Sequence, residues 1–174
     1  MKVTLVYFLL ISSLNAFGQN RDYGNFDDFK INNVIDLRAT EAEIVNSFGP
    51  YSTGKQRKEY WEMDDKWVTG RTYSGKGVFW VIDGAMESFE ITGTGFSLYY
   101  QNHEIKIGDH INTLSTIFPL SYANIVTNNS DNYNYLSIGL KLIENGETHL
   151  LDSGVIAIQI DQNTNLITKI FLLN

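Results

Sequence analysis

Most apolar residues in this chain recur at every second position or in short unbroken runs, which is the spacing of strands. Asn134–Leu142 is the clearest case, with Leu136, Ile138, Leu140 and Leu142 on one face and Tyr135, Ser137 and Lys141 on the other. Glu59–Met63, Trp67–Tyr73, Val78–Asp83, Glu87–Thr92, Phe96–Gln101, Val155–Ile160 and Leu166–Leu172 read as strands on the same grounds. They are separated by turn residues: Asp64-Asp65, Ser74–Gly77, Asp83-Gly84, Gly93–Gly95, Asn145-Gly146 and Asp161–Asn165. The Asn-Gly pair favours a tight hairpin reversal, because both central residues of that turn need positive φ.

Helical spacing occurs in two places, and they are alike. Ile35–Pro50 (IDLRATEAEIVNSFGP) is echoed seventy residues later by Ile105–Pro119 (IKIGDHINTLSTIFP). Ile35 maps to Ile105, Leu37 to Ile107, Ile44 to Leu114 and Phe48 to Phe118. Thr40 and Glu43 have capping-box spacing, Ile44, Val45 and Phe48 form an apolar stripe, and Gly49-Pro50 stop the helix. In the second copy Asp109 or His110 is the expected cap, Ile111, Leu114 and Phe118 the stripe, and Pro119 the stop. Helices this short are marginal alone, so each stripe must be buried against the strands that follow it.

These two stretches resemble the motif of the BamE (SmpA/OmlA) outer-membrane assembly lipoproteins, and their tandem arrangement is similar to the β-lactamase inhibitory protein, BLIP. The family pattern starts with glycine-x-threonine, has a hydrophobic residue four later, and ends in leucine-glycine-x-proline. Thr40, Ile44, Phe48, Gly49 and Pro50 match it in the first copy, and Gly108 and Leu114 in the second. Arg38 stands where the glycine belongs, and Pro119 follows Phe118 directly. The resemblance implies a function of binding proteins rather than catalysis. It also implies the expected fold class, α+β: two tandem units, each one helix packed on a three- to four-stranded antiparallel sheet. The units are expected over 29–101 and 102–174, adjoining in one compact body, since about 70 residues is little for an independent core.

The start of the chain changes the compartment. Lys2 followed by the apolar run Val3–Leu14 and the small residues Ala16 and Gly18 is the pattern of a secretory signal peptide over 1–18, cleaved before Gln19. Twelve apolar residues are too few to span about 30 Å of hydrocarbon, so no membrane insertion is expected after cleavage. Residues 19–28 are polar and are expected as a flexible leader.

Composition removes several functions. The chain has no cysteine, which rules out disulfides, thiolate metal sites, a cysteine nucleophile and a lipid-bearing cysteine. Its formal net charge is −7, and loss of Lys2 with the leader makes it about −8. Phosphates would be repelled, so nucleic acid is not an expected partner.

The motifs that suggest chemistry are incomplete. Gly70–Gly77 satisfies G-x-x-x-x-G-K, but Gly77 replaces the magnesium-binding hydroxyl and a strand follows instead of a helix. Asp161–Asn165 opens like a calcium loop, but Leu166 and Leu172 stand at the required glycine and glutamate. His103, His110 and His149 have no metal-ligand spacing, and no G-x-S-x-G is present. No cofactor, metal or catalytic residue is therefore expected.

Aromatic residues carry the remaining signal, with ten tyrosines, ten phenylalanines and three tryptophans. Tyr60, Tyr99 and Tyr135 fall opposite the face expected to carry the helices, among Glu62, Ser88, Glu90, Ser137 and Lys141. An open antiparallel sheet face of that composition suits a protein partner. The expected site is thus Tyr60, Tyr99 and Tyr135, with Glu62 and Glu90 at the rim. The expected function is a secreted or periplasmic non-enzymatic binding module, as an inhibitor, an immunity-type protein or an envelope assembly scaffold. The alternative is a small secreted hydrolase whose site assembles only in the fold. Oligomeric state is left open by the sequence.

Overall fold

Strand pairing, rather than helix-on-sheet packing, sets the architecture. The computed structural model describes residues 20–52, 57–61 and 65–173, so the expected signal peptide lies outside the described residues. The chain runs through β1 (Tyr23–Asn25), β2 (Phe29–Ile31), β3 (Ile35–Asp36), helix α1 (Glu41–Phe48), β4 (Arg57–Trp61), β5 (Lys66–Tyr73), β6 (Gly77–Ile82), β7 (Ala85–Ile91), β8 (Ser97–Tyr100) and β9 (His103–Lys106). A 3₁₀ turn (Ile111–Leu114), helix α2 (Pro119–Ala123), β10 (Val126–Asn128), β11 (Tyr133–Glu144), β12 (Glu147–Asp161) and β13 (Ile167–Leu173) follow.

These strands form two sheets, and each sheet takes strands from both halves of the chain. The nine-stranded sheet has the order β1-β11-β12-β13-β7-β6-β5-β4, with β10 also on β11, and the four-stranded sheet has the order β3-β2-β8-β9. The expected α+β fold of two tandem BLIP- or BamE-like units is therefore overturned. Neither half owns a sheet, and the two described α-helices have only eight and five residues. The seam between the halves is β13 against β7, registered at Ile170↔Ile91 and Phe171↔Glu90. Ser88 Oγ donates to Leu172 O across it at 2.6 Å. Pairing is antiparallel except where β1 lies parallel to Gly139–Lys141 of β11. Within the segment expected as a loose leader, β1 is thus part of the sheet and Phe26 is buried.

Only the first of the two similar stretches becomes an α-helix. Glu43 Oε2 accepts Thr40 N–H at 2.8 Å and Glu43 N–H donates back to Thr40 Oγ1 at 3.3 Å, closing the capping box. Gly49 ends the helix at φ +77°. In the second stretch Thr113 replaces the glutamate. Its hydroxyl donates to the His110 carbonyl at 2.9 Å, and the Ser115 hydroxyl donates to the Asn112 carbonyl at 2.8 Å. Such local bonds compete with the α-helical ladder, and one 3₁₀ turn results. Pro119 then opens α2 instead of ending a helix, because the first turn needs no N–H from it.

The strand pattern is realised in the packing. Leu136, Ile138 and Leu140 of β11, Ile156, Ile158 and Ile160 of β12, and Ile170 and Leu172 of β13 are buried in one core. Phe29, Ile31, Leu98 and Ile105 of the small sheet join it, with Ile44 of α1, Leu114 and Phe118. The four-stranded sheet and both helical stretches therefore cover one face of the large sheet. On its other face, Val68, Val78 and Trp80 make a small separate cluster, with Trp61 and Ile82 packed against it.

Candidate functional site

The residues expected to share a binding face are spread over different parts of the molecule. Glu90 and Tyr135 do lie on the face away from the main core, but neither is open to a partner. Glu90 is 7 % exposed and is held by Arg57 at 2.5 Å and Lys169 at 3.0 Å, with Arg57 also reaching Glu59 at 2.7 Å. Arg57 crosses Gly70 to reach it and stacks 5.1 Å from the Trp80 ring centre. A Cβ at Gly70 would meet Val78 Cγ1 at 2.3 Å, so the packing of Val78 there needs glycine. Tyr135 is 3 % exposed, its hydroxyl donating to Asp131 at 2.8 Å and accepting from Gln159 at 2.9 Å. These are structural groups that close a sheet face over itself.

Tyr99 belongs to the other sheet, opposite Glu104 in the β8–β9 pair. Partial desolvation, then its hydrogen bond with Glu104, raises the Tyr99 hydroxyl above its ordinary pKa. The Glu104 carboxyl is held below the ordinary glutamate value, first by a hydrogen bond from Ser97. Glu62 lies outside the described residues.

Tyr60 is exposed, and it has a neighbour that the sequence pattern did not single out. It faces Trp67 directly across the β4–β5 pair, with ring centres 5.5 Å apart. Trp67 is 69 % exposed and Tyr60 41 %. The Tyr60 hydroxyl donates to Asp65. Strand alternation explains the placement: Trp61 and Val68 face the small cluster, so Tyr60 and Trp67 face the core side. At that point the aromatic pair stands at the β4 edge of the sheet, and Trp67 keeps most of its surface in water. The turn signal read at Asp64-Asp65 would set Trp67 against Glu62, so the observed register, Tyr60 opposite Trp67, was not given by alternation and turn position alone.

A second concave feature lies beside α1. A cleft of about 590 Å³ is lined by Phe26, Val34, Ile35 and Ala39, with Arg38 and Glu43 among its polar groups. Arg38 bridges to Asp27 at 3.3 Å and stacks on Phe26, and Glu43 is occupied in the capping box. The polar groups of the cleft are thus largely used by the fold itself.

The histidines do different work. His110 Nδ1 accepts Asn112 N–H at 3.2 Å, which caps the 3₁₀ turn. His149 lies on the exposed β11–β12 hairpin with Nε2 3.9 Å from the Glu147 carboxylate, beyond hydrogen-bonding distance. Among the described residues no group of three or more histidine, aspartate or glutamate side chains is placed to hold a metal ion. Among the same residues no helix is long and apolar enough to cross a membrane.

Comparison with known proteins places the chain in no family. No family model matches it, and no curated protein matches it. One solved structure with some likeness is an extracellular protein containing an SCP domain from Bacillus anthracis str. Ames, 12 % identical, with a TM-score of 0.47. The match covers 82 % of this chain and 44 % of that one, so this chain spans less than half of its length. A likeness of that size carries no argument about fold or activity.

Proposed function

We propose that this protein is an exported, non-enzymatic protein-binding module whose contact surface is centred on Tyr60 and Trp67. The observation that carries this reading is the exposed cross-strand aromatic pair at the edge of the large sheet. Large aromatics left this exposed contribute less to folding than buried ones, yet they are the residue types that dominate interface energetics. An edge strand beside them offers a partner unpaired backbone groups as well. The signal-like start of the sequence supports export. An inhibitor of one target and a scaffold in an envelope assembly both use such a surface.

The test is a capture experiment from envelope extract with wild-type protein and a Tyr60→Ser/Trp67→Ser variant. The variant should melt within about 2 °C of wild type and should lose the partner that wild type retains. Equal capture by both proteins would overturn the reading.

A further inference from the structure

Strand β4 presents a charge beside its aromatic ring, on the side of the sheet that faces the core layer. Alternation puts Lys58, Tyr60, Trp67 and Thr69 on that side, with Lys58 opposite Thr69 and Tyr60 opposite Trp67. Lys58 is exposed, and its ammonium group makes no hydrogen bond or ion pair among the described residues. The described carboxylates nearest in sequence are already engaged. Glu59 takes Arg57 at 2.7 Å on the opposite face, and Asp65 accepts the Tyr60 hydroxyl.

The edge beside these side chains is open. Among the described residues no strand lies beyond β4, so one row of its backbone N–H and C=O groups points outward. Trp67 keeps most of its surface in water, so this corner of the core side is uncovered.

We infer that β4 takes up an antiparallel strand of the partner, in which an acidic residue follows an apolar one by two positions. The inference rests on the proposed role of Tyr60 and Trp67, and it names the form and chemistry of the segment they meet. Directly opposed residues of an antiparallel pair lie on the same face. A partner residue opposite Tyr60 therefore lies beside the aromatic pair, and the residue two further along its chain lies opposite Lys58. An apolar side chain suits the first position, because it covers ring surface that is now in water. A carboxylate suits the second, because no described charge answers Lys58. The net charge of −7 does not oppose this, since exposed charges beyond about 8 Å are screened at physiological ionic strength. A lysine on an open edge also discourages pairing with strands that bring no carboxylate. Main-chain bonds thus supply affinity, and the two side-chain positions supply specificity.

The experiment titrates ¹⁵N-labelled protein with three capped peptides: Thr-Thr-Leu-Thr-Glu-Thr-Thr, its analogue with lysine for glutamate, and the reversed order Thr-Thr-Glu-Thr-Leu-Thr-Thr. It follows the β4 amides and the Trp67 indole N–H. The first peptide should shift both saturably. The other two should bind at least about threefold more weakly, the scale of one cross-strand charge pair. In Lys58→Glu the lysine analogue should become the tighter ligand. Should that variant fail to fold, the wild-type comparison of the three peptides decides. Equal binding of the glutamate and lysine peptides would overturn the acidic position, and undiminished binding to Tyr60→Ser/Trp67→Ser would overturn the apolar one. Shifts at the Trp67 indole without shifts at the β4 amides would overturn strand addition and leave the aromatic surface standing. No shift with any peptide would mean that Lys58 only guards the edge, and would overturn the inference while the capture experiment still decides the aromatic surface. Concentration-dependent β4 shifts without peptide would assign the edge to a second copy and overturn it as well.

Discussion

Thr40–Phe48 and His110–Phe118 begin in the same way and end differently. Each follows a short strand of the four-stranded sheet, and each enters through one isolated β-bridge, Thr40 to Ala85 and His110 to Leu166. The first then makes two turns of α-helix, and the second makes one 3₁₀ turn. Ile44 and Phe48 correspond to Leu114 and Phe118, but Ile111, Ser115 and Ile117 stand where the first stretch has Glu41, Val45 and Ser47, so the apolar stripes are only partly shared. The polar residue three places after the cap differs as well: glutamate reaches back to a free N–H, and threonine bonds to a carbonyl instead. The phenylalanines reflect the change. Phe48 is partly exposed and packs on Tyr73, Phe79 and Phe96, with ring centres 6.3, 6.0 and 4.9 Å away. Phe118 is fully inside, against Phe29 at 6.5 Å and Tyr100 at 5.0 Å.

The largest expected effect comes from those rings. Phe118→Ala should destabilise the protein by about 3–5 kcal/mol in chemical denaturation, and Phe48→Ala by about 3 kcal/mol or less, because its site is already part-open to solvent. Equal losses would mean that the two rings occupy equivalent sites after all. The caps come next. Thr40→Ala should cost about 1 kcal/mol, and His110→Ala at most about 0.5 kcal/mol, since it removes one exposed hydrogen bond from a single turn. A larger loss at His110 would break the distinction drawn between the two starts.

The smallest effect is a titration. Hydrogen bonds from Thr40, the backbone one first, hold the Glu43 carboxyl below the ordinary value of 4.5. Its folded pKa is therefore the lower one. Its contribution is present above pH 4.5 and fades as pH falls through the folded value. A carbon-13 titration of Glu43 should show the depressed midpoint together with fraying of α1, while Ile111–Leu114, which has no carboxylate cap, stays unchanged. A Glu43 midpoint at or above 4.5 would remove the electrostatic half of the comparison.

Local features were legible where neighbouring residues alone determine them. The capping box at Thr40, the alternation along β11 and the Asn145-Gly146 turn, with φ of +54° and +83°, all follow from short-range rules. What could not be read was the choice of strand partner. Alternation placed Glu90 and Tyr135 on the face away from the main core, but burial came from Arg57, Lys169 and Gln159 on other strands. Trp67 went unnoticed because its strand mixes apolar and polar residues without marking an exposed face. Its exposure depends on where the core side stops being covered, and no local pattern encodes that. Likewise β1 belongs to a segment too polar to predict as a strand, and its position follows from its parallel pairing with β11.

The position of β13 has a consequence for how the molecule comes into being. Ile167–Leu173 lies between β12 and β7, so it joins two groups of strands that are both made before it. A chain that emerges N-terminus first carries the facing edges of β7 and β12 unpaired until Ile167–Leu173 arrives. During that interval the unfinished halves can pair with other chains, since open edges template such contacts. Productive folding must therefore wait on translation or translocation past Leu173, and a nascent chain stalled before Ile167 is a substrate for chaperones rather than a smaller folded protein.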